Sequence, residues 1–242
     1  MKLRTAMLCL LLAGLVLLTS CGGAAELHYA DGAYRNEKDG TAFVLAPLCY
    51  RALSRLEDEE IARIVGTRNE KPLYAIEGMD SALWLTDENF DLYYSESVAL
   101  PELWEMRVTR ISQCVSGAYA LPLRTITRSE QIDDVIETYR LGTTVPGEEI
   151  IPQPASRYEL VFESSDYPGI AYVLEYWTFT EDVEVYAPLN ADGSLPDLYH
   201  GLEAEIRNGE AVFQLGRYLM YDRVSDRVYV MKDILESYFT NE

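Results

Sequence analysis

The chain sets two histidines and four cysteines against 40 aspartates and glutamates, and that imbalance decides which chemistry it can carry. His28 lies near the N-terminus, so a Ser-His-Asp or Cys-His nucleophilic centre would have to use His200. That residue sits in Asp197-Leu198-Tyr199-His200-Gly201, a loop-like stretch that reads more readily as surface than as a catalytic base. No Gly-x-Ser-x-Gly occurs, and none of Lys38, Lys71 and Lys232 completes a Ser-x-x-Lys. His-Glu-x-x-His, Cys-x-x-Cys and a phosphate-cradling glycine loop are absent too, so no catalytic residue, metal or cofactor is assigned. Asn190-Ala191-Asp192-Gly193-Ser194 has the flavour of a calcium loop, but its glycine comes too early and no late glutamate falls in register. It reads as a plain turn. Two acids far apart in sequence suffice for a carboxylate-pair hydrolase, so that chemistry stays open. Trp84, Trp104 and Trp177 would suit the wall of a sugar groove or a hydrophobic core, and the strand-like surroundings of Trp177 favour core.

The N-terminus is more specific. Lys2 and Arg4 precede an apolar run from Ala6 to Leu18, followed by Thr19-Ser20-Cys21. A run of about 13 residues is short of the ~20 that span a bilayer as a helix. The order of positive, apolar and small residues is that of a secretory signal. Leu18-Thr19-Ser20-Cys21 resembles the lipobox of bacterial lipoproteins. The resemblance implies that residues 1–20 are removed, that Cys21 carries a diacylglyceryl group, and that Cys21 becomes the first residue of the mature protein. Two acyl chains matter, because a single chain binds a membrane only marginally. The implied place is extracytoplasmic, lipid-anchored to the cell membrane or the outer membrane; Gly22, where an aspartate would retain a lipoprotein at the inner membrane, permits the latter. Residues 21–30 read as a short tether.

Without residues 1–20 the chain carries 18 basic and 40 acidic residues, a net charge of −22. Such a chain repels nucleic acid and anionic headgroups. It leaves either a solvated surface or a cationic or protein partner. The abundance of tyrosine, 18 residues, suits both strands and contact surfaces. With Cys9 removed and Cys21 acylated, Cys49 and Cys114 remain. An exported chain permits a disulfide between them, and their apolar neighbours equally suit two buried thiols.

The elements that would position these residues are mostly strands. Residues 33–37 and 41–46 flank Asp39-Gly40 as a hairpin. A helix is expected over 55–65, with Ser54 and Glu57 as a capping box, Ile61, Ile64 and Val65 on one face and Gly66 at its end. Strands follow near 73–77 and 91–95, with Trp84 between them on a turn or short helix. Strands over 105–115 and 119–127 precede a helix over 129–140, whose Ile132, Val135, Ile136 and Tyr139 share a face. A Pro-rich loop spans 143–155. Strands over 157–163, 170–179 and 183–187 lead to hairpins at Asn208-Gly209 (202–206 with 211–215) and at 217–222 with 227–231. Met231, Ile234, Leu235 and Tyr238 form a short closing helix. Tight turns and few helices predict an α+β, strand-dominated fold of antiparallel sheets with two or three short helices. It divides into an N-terminal lobe over 31–103 and a C-terminal lobe over 104–242, the boundary lying near Pro101–Trp104 and the Pro-rich loop being the rival boundary. The leading functional reading is a non-enzymatic binding module on a lipid anchor. A paired-carboxylate envelope hydrolase and a structural component of an envelope complex are the alternatives.

Overall fold

The structure is a computed structural model, which describes residues 24–57, 60–66, 70–115, 121–199, 201–231 and 233–239. The first eight strands are β1 (Ala25–Ala30), β2 (Ala33–Arg35), β3 (Ala42–Leu45), β4 (Tyr50–Ala52), β5 (Glu60–Ile64), β6 (Lys71–Ala75), β7 (Trp84–Thr86) and β8 (Leu92–Ser95). All but β4 close into a seven-stranded barrel in the order β1-β2-β3-β8-β7-β6-β5. Leu27, Phe43, Ala62, Ile64, Leu73, Leu85 and Tyr93 fill its interior. Closure comes from the parallel pairing of β1 with β5; among the described residues every other strand pair is antiparallel.

The second half contributes β9 (Val108–Val115), β10 (Pro122–Ile126), β11 (Thr144–Pro146), β12 (Ser156–Ser164), β13 (Ile170–Pro188), β14 (Ala204–Arg207), β15 (Glu210–Asp222) and β16 (Arg227–Val230). With β4 they form a nine-stranded open sheet along β10-β9-β12-β13-β15-β16-β11, β14 pairing with β15 and β4 with β13. Two helices, α1 (Ser129–Leu141) and α2 (Ile234–Phe239), pack on one face. The fold is therefore α+β and strand-dominated.

Alternation places the core. Leu160 and Phe162 of β12 and Tyr172, Leu174 and Tyr176 of β13 point toward Ile132, Val135 and Tyr139 of α1 and Leu235 of α2. Trp84 and Leu92, on the outside of the barrel wall, join this same core. Trp177, Phe179, Val183, Val185 and Phe213 build a second core on the opposite face. The barrel meets the sheet at a tight contact. A Cβ on Gly169 would lie 2.5 Å from Ile76 Cγ2 and 2.7 Å from the Glu77 carbonyl oxygen. Beside it, Leu53 N–H donates to the Gly169 carbonyl at 2.9 Å, and Arg51 pairs with Asp91.

Several elements differ from expectation. The helix expected over 55–65 is absent, and residues 60–64 form β5. Its buried residues alternate, Ala62 and Ile64 facing the barrel interior, because pairing with β1 and β6 imposes a period of two on β-branched residues of modest helix preference. Ser54 does not cap; its hydroxyl accepts from Glu77 N–H at 3.0 Å, and the acids pair with arginines, Glu57 with Arg55 at 2.7 Å and Glu60 with Arg63 at 2.8 Å. Residues 25–30, expected within the tether, are β1. Asp31 (φ 51°) and Gly32 (φ 85°) turn it into β2 as a two-residue hairpin, and Leu27 is buried in the barrel. Trp84 lies in β7 rather than on a turn or helix. The strands expected over 170–179 and 183–187 are one bulged strand of 19 residues, and β15 likewise runs unbroken through both expected hairpins. β11 interrupts the expected loop over 143–155. Asn208 (φ 54°) and Gly209 (φ 87°) make the expected two-residue turn.

Gly169→Ala should lower unfolding free energy by about 1–3 kcal/mol, the usual cost of overpacking. Urea denaturation checks it; an unchanged midpoint would show that the barrel-to-sheet contact yields freely.

Candidate functional site

Two open concavities adjoin along Gly201, Leu202 and Val230, one at the end of α1 and the other beside the middle of β15. Helix α1 presents two faces. Ile132, Val135 and Tyr139 are buried, while Asp134, Glu137, Thr138 and Leu141, at i, i+3, i+4 and i+7, share another stripe. That second stripe is one wall of a groove of about 480 Å³, completed by Gly142, Thr143, Gly201, Leu202, Val230 and Ile234. A continuing lobe of about 580 Å³ shares Gly201, Leu202 and Val230 with it and extends along Glu203, Glu205, Gln214, Leu215, Gly216 and Asp233.

Two glycines sit where a side chain would not fit, one closing the end of α1 and the other letting its loop approach Thr143. Gly142 N–H donates to the Thr138 carbonyl at 2.8 Å, and a Cβ at Gly142 would lie 2.1 Å from that same oxygen. Gly201 has φ +90°, and a Cβ there would meet Thr143 Oγ1 at 2.9 Å. The far flank is pinned by Arg207, which reaches Glu184 at 3.0 Å and Glu205 at 2.9 Å. Hydrogen bonds from the Tyr186 hydroxyl, the Gln214 amide and Arg207 hold the Glu184 carboxyl down at about 2.

The electrostatics are one-sided among the described residues. Asp134, Glu137, Asp182, Glu203, Glu205 and Asp233 rim the two lobes, and the last turn of α1 adds the negative end of its dipole. Arg217 is the one described cation lining them, and it sits 3.5 Å from Asp182. Apolar surface lies among these acids: Leu141 is 70 % exposed, and Leu202, Val230 and Ile234 are half-buried. Aliphatic side chains interspersed with carboxylates suit a ligand that carries positive charge on an aliphatic frame.

Two buried polar clusters lie elsewhere in the sheet. Glu159 and Glu175 face each other across β12 and β13, both buried. Arg223 pairs with Glu175 through Nε and lies 3.9 Å from Glu159, and Trp177 Nε1 donates to Glu175 at 2.5 Å. The space beside this pair is about 10 Å³, water-sized at most, so these two carboxylates have no room for a substrate. The second cluster joins Tyr139 and Tyr172, whose hydroxyls are 2.9 Å apart, to Asp222, which accepts from Tyr139 at 3.2 Å and from Ser225 at 2.9 Å. Burial pushes the neighbouring Cys49 thiol up to about 11, leaving it protonated and unreactive at neutral pH.

Of the residues the sequence singled out, Cys49 and Cys114 are both buried and are not bridged to each other. Cys21, His200 and Lys232 lie outside the described residues. Asn190–Ser194 is a turn closed by Asp192 accepting from Ser194 N–H at 3.0 Å, with Gly193 at φ +81°. No group of three or more His, Cys, Asp or Glu is placed to hold a metal ion among the described residues. Trp84 and Trp177 are buried, whereas Trp104 is 40 % exposed against Tyr139. The groove itself escaped sequence reasoning; the one available signal was the unburied Leu141 stripe of α1. Comparison of the chain with family models, with curated proteins and with solved structures found no match.

Arg223→Met should cost about 3 kcal/mol, the low end for breaking a buried ion pair because Arg223 is partly exposed. Adding Glu159→Gln and Glu175→Gln to it should recover most of the loss. Chemical denaturation of the three chains checks both; no recovery would mean that Arg223 stabilises through packing alone.

Proposed function

We propose that this protein is a membrane-anchored extracytoplasmic lipoprotein whose α+β ectodomain is a non-enzymatic module binding a cationic or protein ligand. The groove carries the binding half of this reading: it leaves aliphatic side chains open to solvent beneath a carboxylate rim, at a size suited to a ligand. The anchoring half rests on Leu18-Thr19-Ser20-Cys21 and the basic and apolar segments before it. The net charge of −22 for the chain from Cys21 onward supports a cationic ligand over a nucleic acid.

Cys21→Ala should abolish incorporation of a fatty-acid label and move the protein from the membrane fraction to the soluble or secreted one. The melting temperature of its ectodomain should not change, because position 21 precedes β1. Membrane fractionation with metabolic labelling checks this; a variant that stays with the membrane overturns the anchor.

A further inference from the structure

The second lobe of the groove coincides with a break in the hydrogen-bonded ladder of the sheet. On one flank of β15, β14 pairs with Glu210–Phe213 and β16 pairs with Leu219–Asp222. Between them, Gln214–Tyr218 have no partner strand on that flank among the described residues, and Gln214, Leu215, Gly216 and Arg217 line the open lobe. The other flank of β15 is held by β13, with register shifts around Val183 and Gly216. Over these five residues, alternate ones turn their N–H and C=O toward an open space bounded by Ala204 of β14 at one end and Val230 of β16 at the other.

We infer that this break receives an extended segment of a partner polypeptide, pairing as an added strand with β15 at Gln214–Tyr218, in which lysine or arginine alternates with aliphatic residues. The inference rests on the binding-module reading and names its ligand. Main-chain groups of β15 supply the pairing, as in other strand-addition complexes. Side chains of an extended segment point alternately to opposite sides. One set would meet Leu202 and Val230; the other would meet Glu203 and Asp233. Of the six rim acids, Asp182 and Glu205 are already paired with arginines, and Asp134 accepts from the Tyr238 hydroxyl. Glu137, Glu203 and Asp233 have no arginine or lysine within ion-pair distance among the described residues and supply the complementary charge. A small aliphatic polyamine shares the charge complementarity but cannot use the backbone of β15, which favours a polypeptide.

The test uses the acylated protein in detergent micelles and a fluorescein-labelled nine-residue peptide of alternating Lys and Leu, read by anisotropy. Saturable 1:1 binding is expected. N-methylation of alternate peptide amides should weaken it at least tenfold, and replacing Leu by Ser should do the same. Glu203→Lys combined with Asp233→Lys should weaken binding at least tenfold with an unchanged melting temperature. Glu26→Lys with Glu37→Lys, two exposed acids of the N-terminal half, should leave it within twofold. Equal loss in the two pairs of variants would reduce the effect to diffuse attraction by a polyanion and overturn the inference. So would full affinity of the N-methylated peptide, competition by spermine at equal concentration, or no binding at all. None of these outcomes bears on the membrane release of Cys21→Ala, so the groove and the anchor can fail separately.

Discussion

The hydrogen-bond ladder of β13 is the constraint on which the rest of this molecule depends. On one flank it pairs with β12 from Ala171 to Thr178. On the other it takes β4 at Ile170–Tyr172 and then β15 from Glu175 onward. Because β4 belongs in sequence to the half that builds the barrel, this shared flank fastens barrel to sheet through main-chain bonds, and Gly169 at the start of the strand lets the two surfaces close. A strand so placed is covered on both faces. Tyr172, Leu174 and Tyr176 enter the main core, and Ala171, Val173, Glu175 and Trp177 lie on the other side.

Covering both faces of the first half of β13 forces its buried polar groups to find partners inside the protein. Glu175 meets Arg223 and the indole of Trp177; Tyr176 donates to Glu236 at 3.0 Å, and Glu236 in turn receives the guanidinium of Arg124 at 3.1 Å, fixing α2 on the sheet. Tyr172 and Tyr139 lean on Asp222, which also caps the turn into β16 through Val224 N–H at 2.8 Å. The many tyrosines therefore divide their work. Several bury a ring in the core while the hydroxyl closes a hydrogen-bond chain, which an equally large phenylalanine would leave open. Tyrosine abundance in this chain is thus explained to a large degree by the interior.

Much of the second half was legible because local signals coincide with the tertiary arrangement. The periodicity of Ile132, Val135 and Tyr139, the turn at Asn208-Gly209 and the alternation of Leu160 and Phe162 each survive into the structure. Failures occur where a distant partner decides. Ile61, Ile64 and Val65 fit a helical stripe as well as a strand, and pairing with β1 on one side and β6 on the other selects the strand. Asp31-Gly32 is as strong a hairpin signal as Asp39-Gly40, but reading residues 21–30 as linker hid it. β4 is three residues long and has no local pattern to announce it. The groove was illegible for the same reason: Asp134, Leu202, Gln214 and Asp233 come from four segments, and they adjoin only through Gly201, Leu202 and Val230, which both lobes share.

For the proposed lipid anchor, the pairing of β1 with β5 has a mechanical consequence. Because β1 begins at Ala25, the barrel is already formed four residues after Cys21. A fully extended chain covers at most about 3.5 Å per residue, so under the proposed acylation of Cys21 the barrel can begin no more than roughly 14 Å from it. That is of the order of one to two Debye lengths in physiological salt, ~8 Å each. The ectodomain would then stand on the bilayer as a post on a footing, with its barrel end inside the electrostatic reach of the headgroups. The carboxylates near β1, Glu26 and Asp31, would feel the headgroup charge directly, and the lipid composition beneath the barrel would bias how far the groove-bearing sheet leans away from the surface.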